Sequence, residues 1–432
     1  MTGTNESSLS GNSPVFELWN YCPYLPCGEL TVVGAESRCC GQCGSAFNVC
    51  LKCRATNRLL AEFCRGCGQT LGTEAWPMEP GLRSSSIQRD SIRSLNEVHA
   101  PFPVRLGVGV QATPIAADGL LVIALSNGGV ALLSEHTGER IGDLSVSAPI
   151  AVTPALQSGT LFAASGNRLY AFDLAEFLDQ PSLQQLAPVW SFACAENAVT
   201  QPLLVDEKAV YLLTSRNQHA VLYAVAQNNG VPLWPEPLLL ETDQMAPPLL
   251  VEGQIVLISG SGQVSVVETG TGEITGSFSL NRRVDLQVKP FVVDNRVFFS
   301  DPGGYVCELV MAPGGPLINP LYDQRLRISS IAASSQFIAL GHLSGLTLLS
   351  SRGHLLWTSN TNESVSTTPI ISGDSVFALD DSGSALLFDV LKANPVRRMK
   401  LLPGEVGMSP LMTQSRIVVV AADGKVVALD WH

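Results

Sequence analysis

The sequence has no apolar stretch of the kind that exports a chain or holds it in a membrane. Its opening residues, MTGTNESSLSGNSPVFELWN, contain neither a basic n-region nor an apolar h-region, so nothing there reads as a secretory signal. The best candidate for a membrane span, the uncharged run Ile328 to Ser351, is broken by serines, glycines and His342. It is expected to form paired strands rather than a membrane span. Charge is also scarce. Only 15% of residues are charged against 46% hydrophobic, a balance that excludes general disorder and suits buried strands joined by small polar turns. The net charge of -12 is carried by the body of the chain, whereas residues 21–71 are mildly basic. An acidic body of this kind lacks the dense basic face of a nucleic-acid clamp.

Catalytic signatures are missing as well. The six histidines (His99, His136, His219, His342, His354, His432) show no HExxH-like spacing and are expected at turns or at the surface. No Walker loop, GxSxG elbow or kinase signature occurs. Asp301-Pro302-Gly303-Gly304 and Gly260-Ser261-Gly262 read as hairpin turns before they read as phosphate loops. Asp301, Asp381 and Asp423 recur at turns that look equivalent, where turn chemistry is the expected role and a ring of ion-binding carboxylates the alternative.

What the chain does have is a cysteine-rich head. Nine of its eleven cysteines lie between Cys22 and Cys67, and without an export signal their close spacing points to metal rather than to disulfides. Four knuckles present two sulfurs each: Cys22 with Cys27, Cys40 with Cys43, Cys50 with Cys53, and Cys64 with Cys67. Structural zinc takes four thiolates in a closed tetrahedron, which leaves no open position for catalysis. The expectation is therefore two structural Zn2+ ions. The knuckles pair in order, or crosswise with Cys22/Cys27 joined to Cys50/Cys53; spacing leaves both open. Cys39 is surplus, and is either a bystander, a substitute for Cys40, or a redox-sensitive thiol. So small and polar a segment would draw its folding energy from the metal. The segments CPYLPCGELTVVGAESRCCGQCG and CLKCRATNRLLAEFCRGCGQTL resemble the zinc-ribbon family, the first with a stretched knuckle. The resemblance implies a double zinc ribbon over residues 21–71 that docks on protein, RNA or DNA. Arg38, Lys52, Arg54, Arg58 and Arg65 could touch phosphates, but Glu29, Glu36 and Glu62 dilute them, so nucleic acid is the disfavoured partner.

Residues 1–20 are expected as a flexible N-terminus. Residues 72–99, with Pro77, Pro80 and a serine run, have the composition of a linker with a short helix around Ile87–Leu95. A partner-binding strip using Trp76, Ile87 and Ile92 is the alternative. From residue 100 the sequence repeats at about forty residues, a period that signals a propeller or a solenoid. Each copy opens on a polar-Pro or related step, followed by an apolar strand, a tight turn and a second apolar strand. The copies begin at 113, 153, 201, 247, 289, 329, 368 and 409. Turns such as those within SGNRLYAFD and ADGKVVALD are hairpin signals, and no long amphipathic helix intervenes. The expected fold class is mostly β: an eight-bladed β-propeller of four-stranded blades over residues 100–432. The copy at 409 has no room for a fourth strand, so residues 102–108 are expected to supply it and close the ring.

The endings LYAFD and VVALD, with NGVPLW at Trp234 and RGHLLW at Trp357, resemble the quinoprotein-type (PQQ-like) propeller repeat. Thr137-Gly138 and Thr271-Gly272 keep its turn but lack its tryptophan. In the enzymes of that family the quinone is held against a vicinal disulfide, with calcium beside it. Here the propeller contains only Cys194 and Cys307, far apart, which read as core residues, so no quinone is expected. The resulting expectation is a non-catalytic scaffold or adaptor in a cytoplasmic, bacterial multi-protein complex, with other proteins as partners. Two alternatives stand: a sensor holding a small molecule in the propeller channel, and a nucleic-acid-associated factor acting through the ribbon.

Overall fold

The computed structural model describes residues 102–431, apart from 118, 147, 175–185, 196–197, 217, 243, 294, 312–315, 404–405, 407 and 414–415. It also describes residues 47–49, 55–58, 64, 92 and 95–97. The chain divides into two compact units, Met1–Glu74 and Ala75–His432. In the first, Phe47–Val49 pairs antiparallel with Thr56–Arg58, so the two strands bracket the Cys50/Cys53 knuckle in sequence. Ala55, Asn57 and Cys64 are buried there, and Asn57 donates its side-chain amide to the Ala55 carbonyl at 2.8 Å.

The second unit is a propeller of eight antiparallel sheets. Blade 1 shows the pattern: an inner strand Ile115–Ala117, then Leu120–Ala124, Gly129–Ser134 and an outer strand Arg140–Ser145. Hydrophobicity is graded across a blade. The second strand of blade 1, LLVIA, is buried at every position, while its outer strand is largely half-exposed. A strand flanked by sheets on both faces is apolar throughout, whereas an outer strand needs to be apolar only where it meets the next blade. The run Ile328–Ser351 contains Ile328–Ala333, Phe337–His342 and Gly345–Ser350, the first three strands of blade 6. No helix among the described residues is long and apolar enough to cross a membrane.

Proline sets where the inner strands start. Those of blades 1, 2, 4, 5, 7 and 8 begin directly after Pro114, Pro154, Pro248, Pro290, Pro369 and Pro410. Proline has no N–H to give a ladder, so pairing starts beyond it. Blade 6 carries Ser330 at this step, and its inner strand begins two residues earlier, at Ile328.

Blade 8 is completed from the start of the unit. Its third strand, Lys425–Trp431, pairs with Val104–Arg105 at one end and with Leu95–Glu97 at the other. The outer strand is thus made in two pieces. The second piece extends the propeller back into residues 72–99, whose last part is not a free tether. Ile92 and Leu95 are buried in the core shared by blades 7 and 8, and the Ser375 hydroxyl donates to the Ile92 carbonyl at 3.2 Å. Ile92 is therefore unavailable for a partner-binding strip, and Leu95 ends in a strand rather than in a helix.

Neighbouring blades are locked by rings from one blade laid on turns of the next. Trp234, beside the outer strand of blade 3, covers the Thr271-Gly272 turn of blade 4 and donates its indole N–H to the Thr269 carbonyl at 2.9 Å. A β-carbon on Gly272 would lie 2.6 Å from that ring, so the turn needs glycine. Trp190 and Trp357 donate likewise to Gln227 and Val390 of the following blades, each at 2.8 Å. The tryptophan that does not follow Thr271-Gly272 in the sequence thus arrives from the preceding blade. At the closure, Phe102 takes the tryptophan's place over Gly138.

Candidate functional site

The residue that opens a repeat stands at one mouth of the channel, where the inner strand begins, and is polar in seven of the eight repeats, Pro247 being the exception. Five of the eight, Thr113, Lys289, Ser329, Thr368 and Ser409, line one cavity of about 150 Å³. They come from blades 1, 5, 6, 7 and 8, and each stands just before an inner strand or at its edge. Ser330, Ser366 and Thr367 add three hydroxyls, Gln287 an amide and Ile331 the apolar contact. Among these lining residues no carboxylate is present, and Lys289 is the cation.

The wall is held by bonds between blades. The Ser329 hydroxyl donates to the Val365 carbonyl at 2.7 Å, and that of Ser330 to the Thr367 carbonyl at 2.9 Å. The backbone N–H of Thr368 donates to the Ser409 hydroxyl at 3.1 Å, and Thr367 donates to the Leu379 carbonyl at 3.0 Å. Blades 6, 7 and 8 are therefore tied together at the rim of the cavity by the residues that line it. Ser330 replaces the missing proline's rigidity with a side-chain bond to the next blade.

The three aspartates do not form a carboxylate ring, because they occupy different turn positions. Asp301 accepts from the N–H groups of Gly303 and Tyr305 at 2.9 and 3.0 Å, and from Arg282 at 3.0 Å. The residue matching it in blade 7 is Asp380, which is fully buried, accepts from the Ser384 N–H at 2.9 Å and pairs with Arg398 at 3.1 Å. Asp381 instead holds Ser366 across the blade junction, and Asp423 accepts from the Lys425 N–H at 3.0 Å. Their chemistry is that of turns.

His342 stands at a turn, as expected, but is buried rather than at the surface. It is 1% exposed at the end of the second strand of blade 6. Its Nδ1 lies 3.1 Å from the Ser344 hydroxyl and its Nε2 3.2 Å from that of Thr347, which in turn meets Thr358 at 3.0 Å. Tyr322 of blade 5 joins the same two threonines. Burial holds the His342 imidazole below the usual histidine range, and burial also raises the Tyr322 phenol. Sequence alone gave no sign of this, since a histidine among small residues at a turn looks solvated.

Cys194 and Cys307 are fully buried, as core residues should be. Burial pushes the Cys194 thiol up to about 12 and raises that of Cys307, so neither is poised as a nucleophile. Of the eight cysteines expected to hold zinc, Cys64 is described, and it is buried at 3% exposure. Cys22, Cys27, Cys40, Cys43, Cys50, Cys53 and Cys67, with Cys39 and the pairing of the knuckles, lie outside the described residues.

Residues 185–336 match the family described as "Outer membrane protein assembly factor BamB". The protein of that name from Kangiella koreensis is 25% identical over 205 residues, 44% of this chain and 48% of its own, so the chain spans about half the length of this relative. The crystal structure of BamB from Moraxella catarrhalis superposes with a TM-score of 0.61 at 16% identity, covering 78% of this chain and all of that one. The quinohemoprotein alcohol dehydrogenase of Comamonas testosteroni superposes with a TM-score of 0.58 at 10% identity, covering 83% of this chain and 78% of that one. At these identities the structural likeness is one of fold. The chain is an eight-bladed propeller, a fold shared with that BamB structure and with that dehydrogenase, and its residues 185–336 are similar to the BamB family.

Proposed function

We propose that the protein is a non-catalytic scaffold of a multi-protein complex, with the propeller as one docking surface and the cysteine-rich unit as the other. The observation that carries this reading is a row of exposed apolar side chains on one rim. Ile274, Leu317, Leu355 and Val396 stand at or beside the first position of the outer strands of blades 4, 5, 6 and 7, and are between 46% and 57% exposed. Single exposed leucines are ordinary, but the same position left apolar in four successive blades is a continuous feature of the kind that marks a protein contact. The strand topology puts this rim on the face opposite the channel mouth. The match of residues 185–336 to an assembly factor supports the same reading, since it spans two of these four blades and includes Ile274 and Leu317.

The cysteine-rich unit fits two structural zinc ions by its donor set: four two-sulfur knuckles supply eight thiolates, and Cys64 is buried as a structural ligand would be. Cys64 and Cys67 with Cys50 and Cys53 would hold one ion, and Cys22, Cys27, Cys40 and Cys43 the other. Thiolates kept for metal suit a reducing compartment, which supports a cytoplasmic location.

The test is capture of partners by the tagged protein from its own host, beside Leu317→Lys/Leu355→Lys and Cys64→Ser/Cys67→Ser variants. Stoichiometric partners lost from the rim variant place the contact on the propeller, and loss from the cysteine variant places it on the head. Partners retained by both variants, or none with the wild type, overturn the reading.

A further inference from the structure

We propose that the recess at Gly276, between blades 4 and 5, receives an aromatic side chain carried on a basic segment of a partner protein. The inference rests on the scaffold reading and deepens it, naming one place on the rim and the chemistry of what docks there. Strand register carries the argument. In blade 6, Trp357 pairs with Leu348 beside a register shift between Leu348 and Leu349, and its ring locks the junction with blade 7. Blade 4 repeats the pattern, with Gly276 paired to Val266 beside a shift between Val266 and Val267. Gly276 thus holds the position from which Trp190, Trp234, Trp357 and Phe102 close the junctions after blades 2, 3, 6 and 8. The backbone does not call for glycine here, because Gly276 is not in the left-handed region and a tryptophan stands at the same bulge in blade 6. Nor does crowding: among the described residues, a β-carbon on Gly276 would meet only Val266 of its own blade, at 3.8 Å. A glycine inside a strand with neither reason marks a place kept open for another group.

The surroundings select the occupant. Phe278, Met311 and Ile318 lie only partly buried on the core between blades 4 and 5, and exposed Ile274 and Leu317 stand at the starts of the two outer strands. An aromatic ring laid there would bury apolar surface as the internal rings do. Charge sets the sign of the segment that brings it. From Pro247 to Leu280, blade 4 contains no lysine, arginine or histidine. Its three carboxylates, Glu252, Glu268 and Glu273, are exposed on the two turns of the rim that carries Ile274. The Thr271 hydroxyl donates to Glu268 at 2.7 Å, and no ion pair among the described residues neutralises any of the three. Lysines or arginines flanking the aromatic residue would meet these carboxylates. Blade 1 also has a glycine, Gly142, at the ring position, but there the ion-paired Arg140 takes the place of Ile274.

Saturation-transfer NMR on the full chain tests this with three capped tripeptides, Lys-Trp-Lys, Lys-Ala-Lys and Glu-Trp-Glu. Transfer to the indole protons of Lys-Trp-Lys is expected, with little to the other two. Gly276→Trp fills the recess from within, so it should keep the thermal midpoint and weaken the transfer about fivefold or more. Ile274→Lys, which repels a cationic segment, should weaken it as well and serves if Gly276→Trp folds poorly. Gly142→Trp should leave it unchanged. Transfer that is absent, equal for all three peptides, or undiminished in both Gly276→Trp and Ile274→Lys overturns the proposal. The two readings fail separately. No peptide binding, with partners still captured through Leu317 and Leu355, removes this recess alone; peptide binding with no captured partner removes the scaffold and leaves the aromatic-binding recess.

Discussion

Phe102 lies on Gly138 so closely that a β-carbon there would sit 3.0 Å from its ring. The two residues join the segment that completes blade 8 to a turn of blade 1, in the arrangement that tryptophan and glycine make between other blades. Phe102 is 1% exposed, and Arg416 caps its other side with the guanidinium 5.5 Å from the ring centre. Phe102→Ala should therefore cost about 3–5 kcal/mol, the usual range for a buried phenylalanine, and lower the thermal midpoint of the propeller. A loss below about 1 kcal/mol in denaturant titrations would show that the ring closes without it.

Arg416 is the second half of that closure. It pairs with Asp430 of its own blade at 2.8 Å and donates to the carbonyls of Glu135 and His136 in blade 1. Arg416→Met should destabilise by about 1.5–3 kcal/mol, since it strips charged hydrogen bonds from a half-buried site. Arg140→Met removes an ion pair with Asp143 in which both side chains are more than 40% exposed, and should change stability by less than about 1 kcal/mol. Thermal unfolding of the two variants side by side checks the contrast.

Ser330 offers a test of how the inner strands are set. Ser330→Pro restores the residue that most repeats carry, yet it should destabilise blade 6. It deletes the hydroxyl bond to the Thr367 carbonyl and removes the pairing of Ile328 and Ser330 with the second strand. Hydrogen exchange should then rise for the amides of Ile328–Ala333 and of the paired Phe337–His342. Protection unchanged from wild type would show that the longer strand contributes nothing.

His342 predicts a pH dependence. Its folded-state affinity for protons is lowered by burial, so the unfolded chain binds the proton first as pH falls. Stability is complete above the ordinary histidine value near 6.5 and declines below it, toward the lower folded-state value. His342→Gln should flatten that slope below about pH 6.5. Urea midpoints measured across this window decide the matter; equal slopes in both proteins would mean that other groups dominate.

The metal content of the head gives a simple count. Two zinc ions per chain are expected by atomic emission, and one in Cys64→Ser/Cys67→Ser. If the first unit holds zinc as proposed, a strong chelator should unfold it and leave the propeller's thermal midpoint in place, because the metal's binding energy would then be the folding energy of that unit alone. A wild-type chain purified with no zinc would refute the assignment.

The eight blades were legible because each repeat announces itself with a polar-Pro step, an apolar run and a turn, all local signals. The residues that gather around the cavity were legible too, because Thr113, Lys289, Thr368 and Ser409 are those polar residues. Other features were hidden for physical reasons. Ile92 and Leu95 sit among serines and arginines because an outer strand is wet on one side, so the segment reads as linker. Phe102 was not recognised as the stand-in for a tryptophan because it precedes its glycine in the chain and belongs to the last blade. The equivalence of Asp301 with Asp380 rather than Asp381 depends on a one-residue register that composition does not display.

The split outer strand of blade 8 sets an order on biosynthesis. Leu95–Glu97 and Val104–Arg105 leave the ribosome before any blade, yet their partner, Lys425–Trp431, is made after the other seven. During translation the leading segment has no sheet to join, and blade 1 waits with its junction to blade 8 open. The ring can close only once blade 8 is made, so chaperone engagement and sensitivity to premature termination should both concentrate on those waiting edges.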